Sequence, residues 1–193
     1  MTPLATLAGA WLCLAAGVLL SSVVPGPFAL CAGLALGNAW LFATGARRGR
    51  RTPLAAGCFA VCAGLAVYPG AVACVDGFFA FLGWRCPAIG VGALVAVEAL
   101  CGWFLAPCFE EGLYRGRVFD AATRRFGGIV AVLFTSALFA IAHVERCAVF
   151  ASFLIGCGLG VTRRLSGSLS VCIGAHCGLN LGATFWPRWW VHG

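Results

Sequence analysis

The sequence predicts an all-α fold, a polytopic transmembrane helical bundle of about seven spans. Three observations lead there. The chain of 193 residues is 62% hydrophobic and 10% charged, a composition outside the range of soluble domains. Its apolar runs are long and continuous, without the alternation of a membrane β-barrel. Between the runs stand short breaks rich in Arg, Gly and Pro. Residues 1–193 read as a single integral membrane domain, with no linker and no internal repeat.

A span needs about 20 apolar residues, fewer inside a bundle. On that basis the spans fall near 3–22, 28–45, 54–75, 88–120, 128–144, 147–162 and 169–187. The first lacks a basic leader and is followed by Ser21-Ser-Val-Val-Pro-Gly-Pro27, so it reads as a retained span rather than a cleaved signal. The second ends at Arg47-Arg-Gly-Arg-Arg51, and the third at a break from Asp76-Gly77 to Pro87. The fourth is long and contains Pro107, which frees the carbonyl of Trp103 and predicts a kink. Such a break is tolerated at membrane depth where it faces protein or a cavity. Arg124-Arg-Phe-Gly-Gly128, Glu145-Arg146 and Arg163-Arg-Leu-Ser-Gly-Ser168 separate the last three spans. Gly33/Gly37, Gly156/Gly160 and Gly178/Gly182 are small-residue pairs at helical spacing that permit close helix approach.

The net charge of +7 comes from thirteen Arg and no Lys. In so apolar a chain it marks cytoplasmic loops rather than a nucleic-acid surface. With the amino terminus inside, Arg47, Arg48, Arg50, Arg51, Arg124, Arg125, Arg163 and Arg164 all fall on the cytoplasmic side. Arg115 and Arg117 lie toward it, and Arg85, Arg146 and Arg188 fall outside. The twelve Cys read as small packing residues. No C-x-x-C occurs, so a thiol zinc site is not expected. Cys74, Cys86 and Cys147 stand apart because they lie near predicted loop ends.

The chain's candidate chemistry centres on Pro107-Cys-Phe-Glu-Glu-Gly-Leu-Tyr-Arg-Gly-Arg-Val-Phe119. The run 88–106 before it is apolar apart from Glu98, and acids at membrane depth are functional-site hypotheses by default. Glu111 and Arg115 are four residues apart and share a helix face, in the favourable acid-before-base order. Glu110 lies about 140° round from Arg115. The spacing predicts that Arg115 neutralises Glu111 and that Glu110 points elsewhere, available for chemistry. Glu98 has no assigned role.

Three further polar positions join these. His143 ends Phe139-Ala-Ile-Ala-His143, and His176 and Asn180 share one face of the last span. Measured from the cytoplasmic helix ends, Glu110 lies about 18 Å in, His143 about 22 Å, His176 about 12 Å and Asn180 about 18 Å. Singly, a buried His or Asn is ordinary interhelical glue. Together they bring a carboxylate, two imidazoles and an amide to one layer. A low-dielectric pocket tunes a carboxylate toward the basicity that a proton acceptor needs. Glu110 with His143 can then hold and deprotonate a water, while His176 and Asn180 can donate to an oxyanion. The chemistry implied is amide hydrolysis by activated water, with no cofactor.

Glu110-Glu111-x-x-x-Arg115, Phe139-x-x-x-His143 and His176-x-x-x-Asn180, in that order, resemble the three motifs of the CPBP family, which comprises type II CAAX prenyl endopeptidases and bacteriocin-processing or self-immunity proteins. Ala106-Pro-Cys-Phe109, Leu165-Ser-Gly-Ser-Leu169 and Gly174-Ala-His176 agree with it, and the resemblance covers about residues 103–185. It implies an intramembrane endopeptidase of glutamic type in which Glu110 and His143 activate water and His176 and Asn180 stabilise the oxyanion. It places Glu111 and Arg115 in structural support, with Phe139 beside them. The implied substrate is a membrane-anchored protein or peptide tail; the partners are that substrate and the lipid bilayer, with no nucleic acid. The compact, Arg-only, Ala/Gly-rich composition reads as bacterial, in the inner (cytoplasmic) membrane.

Two other readings stay open. Glu110, His143 and His176 are a possible His₂Glu zinc set with a water in the fourth position, although no H-E-x-x-H occurs. Alternatively, a non-catalytic immunity or assembly protein would use the same cluster for packing. A transporter is disfavoured because the chain has one broken helix and no inverted repeat.

Overall fold

Backbone polar groups in an apolar environment have to be satisfied within the chain, and helices do this locally. The computed structural model describes residues 2–20, 26–44, 53–84, 100–143 and 146–185. Helices α1 (Pro3–Leu20), α2 (Gly26–Ala43) and α3 (Leu54–Phe81) form the amino-terminal part. A π-helical segment (Cys101–Leu105), α4 (Ala106–Glu111), a second π-helical segment (Gly112–Val118) and α5 (Phe119–Phe126) follow one another in a single rod that is kinked at Gly116. Helices α6 (Gly128–Ile141), α7 (Arg146–Ser166) and α8 (Leu169–Phe185) complete the bundle. The fold is the expected all-α one, with seven helical rods among the described residues.

Two rods are long and apolar enough to cross a membrane by themselves, Ala55–Phe81 and Arg146–Ser166. Others are shorter: α6 has 14 residues, about 21 Å at 1.5 Å per residue. That is less than the roughly 30 Å hydrocarbon core, a shortfall allowed where neighbouring helices cover the ends.

Two expected boundaries are corrected. The third span does not break at Asp76-Gly77 but continues to Phe81, through Pro69 as well. One Asp and one Gly do not outweigh an otherwise apolar 28-residue helix. The stop comes at Gly83, whose φ of 72° suits glycine. There Gly83 and Trp84 donate N–H groups back to the carbonyls of Ala80 and Phe79. In the fourth span, π-helical register takes the place of a simple proline kink. Ala106 donates to the carbonyl of Cys101, five residues back, so Pro107 enters where the register changes. Gly116 has φ −81° and ψ −123°, a second interruption inside the second π-helical segment.

Small residues set the packing. Gly174, Gly178 and Gly182 of α8 lie against Gly57, Val61 and Tyr68 of α3, and a Cβ on Gly178 would strike the Val61 carbonyl oxygen. Gly156 and Gly160 of α7 face Ser136 and Val132 of α6, and Gly37 of α2 faces the Phe109 ring. Leu34 and Leu41 of α2 pack with Phe109, Leu113, Tyr114 and Phe139 in a buried cluster around the acidic pair.

The basic end of the bundle is partly visible. Arg164 lies beside Gly128, so the α5–α6 and α7–α8 turns adjoin. Arg117 donates to Thr6 Oγ1 at 3.3 Å, which brings the start of α1 to the same end. Arg146, at the far end of α7, sits over the Trp84 ring at 5.6 Å. Arg47, Arg48, Arg50, Arg51, Arg85, Arg188, Cys86 and Glu98 lie outside the described residues. Two sequence expectations change. Arg163 is not a loop charge but a buried residue of α7. Nor are all the cysteines packing residues: Cys31 and Cys101 form a disulfide with Cα atoms 5.7 Å apart, and Cys147 is disulfide-bonded as well. Cys74 is free and exposed.

Candidate active site

The acidic pair closes α4, between the two π-helical segments. Adjacent positions on a helix point about 100° apart, and the two carboxylates meet different surroundings. Glu111 turns inward. Its Oε1 pairs with Arg115 at 3.2 Å, and both side chains are fully buried. Arg115 also donates to the Gly156 carbonyl at 2.8 Å and lies over the Phe139 ring at 5.0 Å, a favourable cation–π placement. Gly156 is needed here because a Cβ would stand 3.1 Å from the guanidinium.

His176 of α8 joins both carboxylates. Its Nδ1 lies 3.0 Å from Glu111 Oε1, and its Nε2 lies 3.5 Å from Glu110 Oε2. A carboxylate held by Arg115 can only accept, so Nδ1 carries the proton and donates to Glu111. That leaves Nε2 as the ring atom facing Glu110.

Glu110 turns outward, its side chain 28% exposed. It lines a cavity of about 290 Å³ with His143 and Tyr114, walled otherwise by apolar residues that include Trp11, Leu34 and Phe109. His143 sits just beyond α6, where its Nδ1 donates to the Phe139 carbonyl at 3.0 Å. That bond fixes the tautomer and leaves Nε2 able to accept. Phe139 is the shared support, with its ring centroid 5.1 Å from that of His143, 5.6 Å from His176 and 5.6 Å from Tyr114.

Glu110 and His143 therefore come together at one cavity, and His176 touches both glutamates from behind it. Asn180 and His176 do not line the cavity. Instead, Asn180 donates to the Gly102 carbonyl at 2.7 Å, in the first π-helical segment. Among the described residues no three His, Cys, Asp or Glu side chains gather into a group that could hold a metal ion.

Two contributors escaped the sequence reading. Asn38 of α2 donates to the Leu34 carbonyl at 2.8 Å and to the Leu105 carbonyl at 3.1 Å. Asn180 and Asn38 thus hold carbonyls of the first π-helical segment from two other helices. A lone amide inside an apolar run was its signal in the sequence. Arg163 donates Nε–H to the Arg115 carbonyl at 2.9 Å and pairs with Asp120 at 3.1 Å, fastening the chain next to Gly116. It also donates to the Gly167 carbonyl. Asp120, one of only six acids in the chain, was the sign of this tie.

Fold and site together define a class: an all-helical membrane protein with a carboxylate and a histidine facing a cavity inside the bundle. The family model described as "Type II CAAX prenyl endopeptidase Rce1-like" matches residues 92–182, a stretch that contains all three motifs. The match covers just under half of the chain, and it supports the resemblance to CPBP proteins and a peptide hydrolase activity. No curated protein and no solved structure matches the chain.

Proposed function

We propose that the protein is a glutamic-type intramembrane endopeptidase that cuts a peptide bond in a membrane-anchored protein or peptide tail. The observation that supports it best is the joint presence of Glu110 and His143 on one cavity inside the bundle. Water bound between them is polarised by the His143 Nε2 lone pair and loses its proton to Glu110. Its oxygen attacks the scissile carbonyl carbon, and the carbonyl π electrons move to oxygen. Collapse of this tetrahedral species breaks the C–N bond, and the amine leaves with the proton that Glu110 held. Glu111, Arg115 and Phe139 act as supports. In this reading His176 braces both glutamates and Asn180 holds the Gly102 carbonyl, and no metal or other cofactor takes part. The largely apolar cavity wall suits an apolar tail. The Arg distribution supports an amino terminus in the cytoplasm, and the compact, Arg-only, Ala/Gly-rich composition supports a bacterial inner membrane.

The test uses enzyme reconstituted in liposomes with two quenched-fluorescent reporters, one ending in a prenylated Cys tail and one in an unmodified apolar tail. Cleavage of at least one is expected, with a loss of about a hundredfold or more in both Glu110→Gln and His143→Ala, the scale of a lost general base. Cleavage of neither reporter, or full activity in either variant, would overturn the proposal.

A further inference from the structure

Tyr114 is a buried phenol that the water-activation scheme does not use. It stands four residues after Glu110, one helical turn along, on the same side of the rod. It is 3% exposed, and its ring is held edge-on by Phe139. It lines the 290 Å³ cavity with Glu110 and His143. It also lines a second cavity, of about 170 Å³, shared with Trp11 and Ala142 and bounded by Leu138 and Ile141. Tyr114 therefore stands at the junction of the polar pocket and an apolar extension.

The hydroxyl of Tyr114 makes no hydrogen bond to another described residue. A buried phenol normally finds a partner, and here the available space is the cavity. The other donors near the site are engaged. His176 Nδ1 is bound to Glu111 and Nε2 faces Glu110. Asn180 donates to Gly102, and neither residue lines the cavity. The His143 Nδ1 proton is bound to the Phe139 carbonyl. Tyr114 brings to this cavity an O–H with no internal partner.

We infer that Tyr114 is a further catalytic residue, which donates its phenol O–H to the oxyanion formed when water attacks the scissile carbonyl. This rests on the function proposed above. No proton leaves the phenol: the hydrogen bond strengthens as charge builds on the carbonyl oxygen and relaxes when the C–N bond breaks. Such a donor acts mainly on the transition state, so its loss lowers kcat more than it raises KM.

The experiment is Tyr114→Phe, which keeps the ring against Phe139 and removes one oxygen. It is measured in liposomes with the reporter the wild type cleaves, beside Glu110→Gln. A second readout compares affinities for a peptidyl phosphinate, a tetrahedral anionic mimic, and for the matching uncleavable peptide. A fall in kcat of about a hundredfold, KM within about twofold, and phosphinate binding weakened while peptide binding holds are expected for loss of an oxyanion donor. A Tyr114→Phe enzyme with wild-type kcat would overturn the inference, as would a lower kcat with unchanged phosphinate affinity. If Glu110→Gln is inactive and Tyr114→Phe fully active, Tyr114 is excluded and the base survives. If Glu110→Gln is active, the base assignment itself fails.

Discussion

The two faces of the helix that carries the acidic pair are built from the same residue type and differ in almost everything else. On the inner face Glu111 is fully buried, bonded to Arg115 and His176, and Arg115 is bonded onward to Gly156. On the outer face Glu110 is partly exposed, and the Nε2 of His176 stands 3.5 Å from its carboxylate. The closed face holds the helix in place, and the open face leaves Glu110 and Tyr114 on a cavity of about 290 Å³. Adjacent glutamates thus meet different surroundings through about 100° of rotation, not through their own chemistry.

The largest expected effect is on the closed face. Glu111→Ala leaves Arg115 buried without its carboxylate, at a cost of about 3–5 kcal/mol. Low yield or a large drop in the thermal midpoint in detergent is expected, and a variant as stable as wild type would break the comparison. A smaller loss, roughly 1 kcal/mol, is expected for Gly156→Ala. The added Cβ would stand 3.0 Å from Ser136 Cβ and 3.1 Å from the Arg115 guanidinium. A denaturation series in detergent measures it, and a neutral result would mean Arg115 has room to move.

The open face depends on support from elsewhere. Asn38→Leu leaves the Leu105 carbonyl without its donor, the loss of a buried hydrogen bond that costs about 1–3 kcal/mol. A several-fold fall in kcat is expected, with Asn38→Gln recovering part of it. A variant with unchanged kcat would separate α2 from the site. The smallest effect is the one expected from chelators. Dialysis against them should leave the cleavage rate unchanged, and a loss restored by added zinc would replace water activation by Glu110 with metal chemistry.

Much of this contrast was legible in the sequence. The i,i+4 relation of Glu111 to Arg115 requires only helix geometry, and it fixes where Glu110 does not point. Phe139 and His143 follow the same rule, which is why one carbonyl can hold the ring four residues on. What stayed hidden was long-range or depended on register. The π-helical segments on either side of α4 follow no hydrophobic period. Asn38 is 67 residues from the carbonyl it holds, and Arg163 is 48 residues from the one it caps. Arg163 looked like one more loop charge because its burial depends on packing between distant segments. The end of α3 was misplaced for a different reason: Asp76 and Gly77 are turn formers only where the surrounding chain does not insist on helix.

The central claim is that one of two neighbouring carboxylates performs the chemistry and the other holds the frame. The most direct measurement pairs Glu110→Gln with Glu111→Gln, recording thermal stability and reporter cleavage for both in the same liposomes. The account predicts that Glu110→Gln folds like wild type and loses cleavage by about a hundredfold or more, whereas Glu111→Gln is first of all unstable. A stable Glu111→Gln without activity, beside an active Glu110→Gln, would show that the two roles have been assigned the wrong way round.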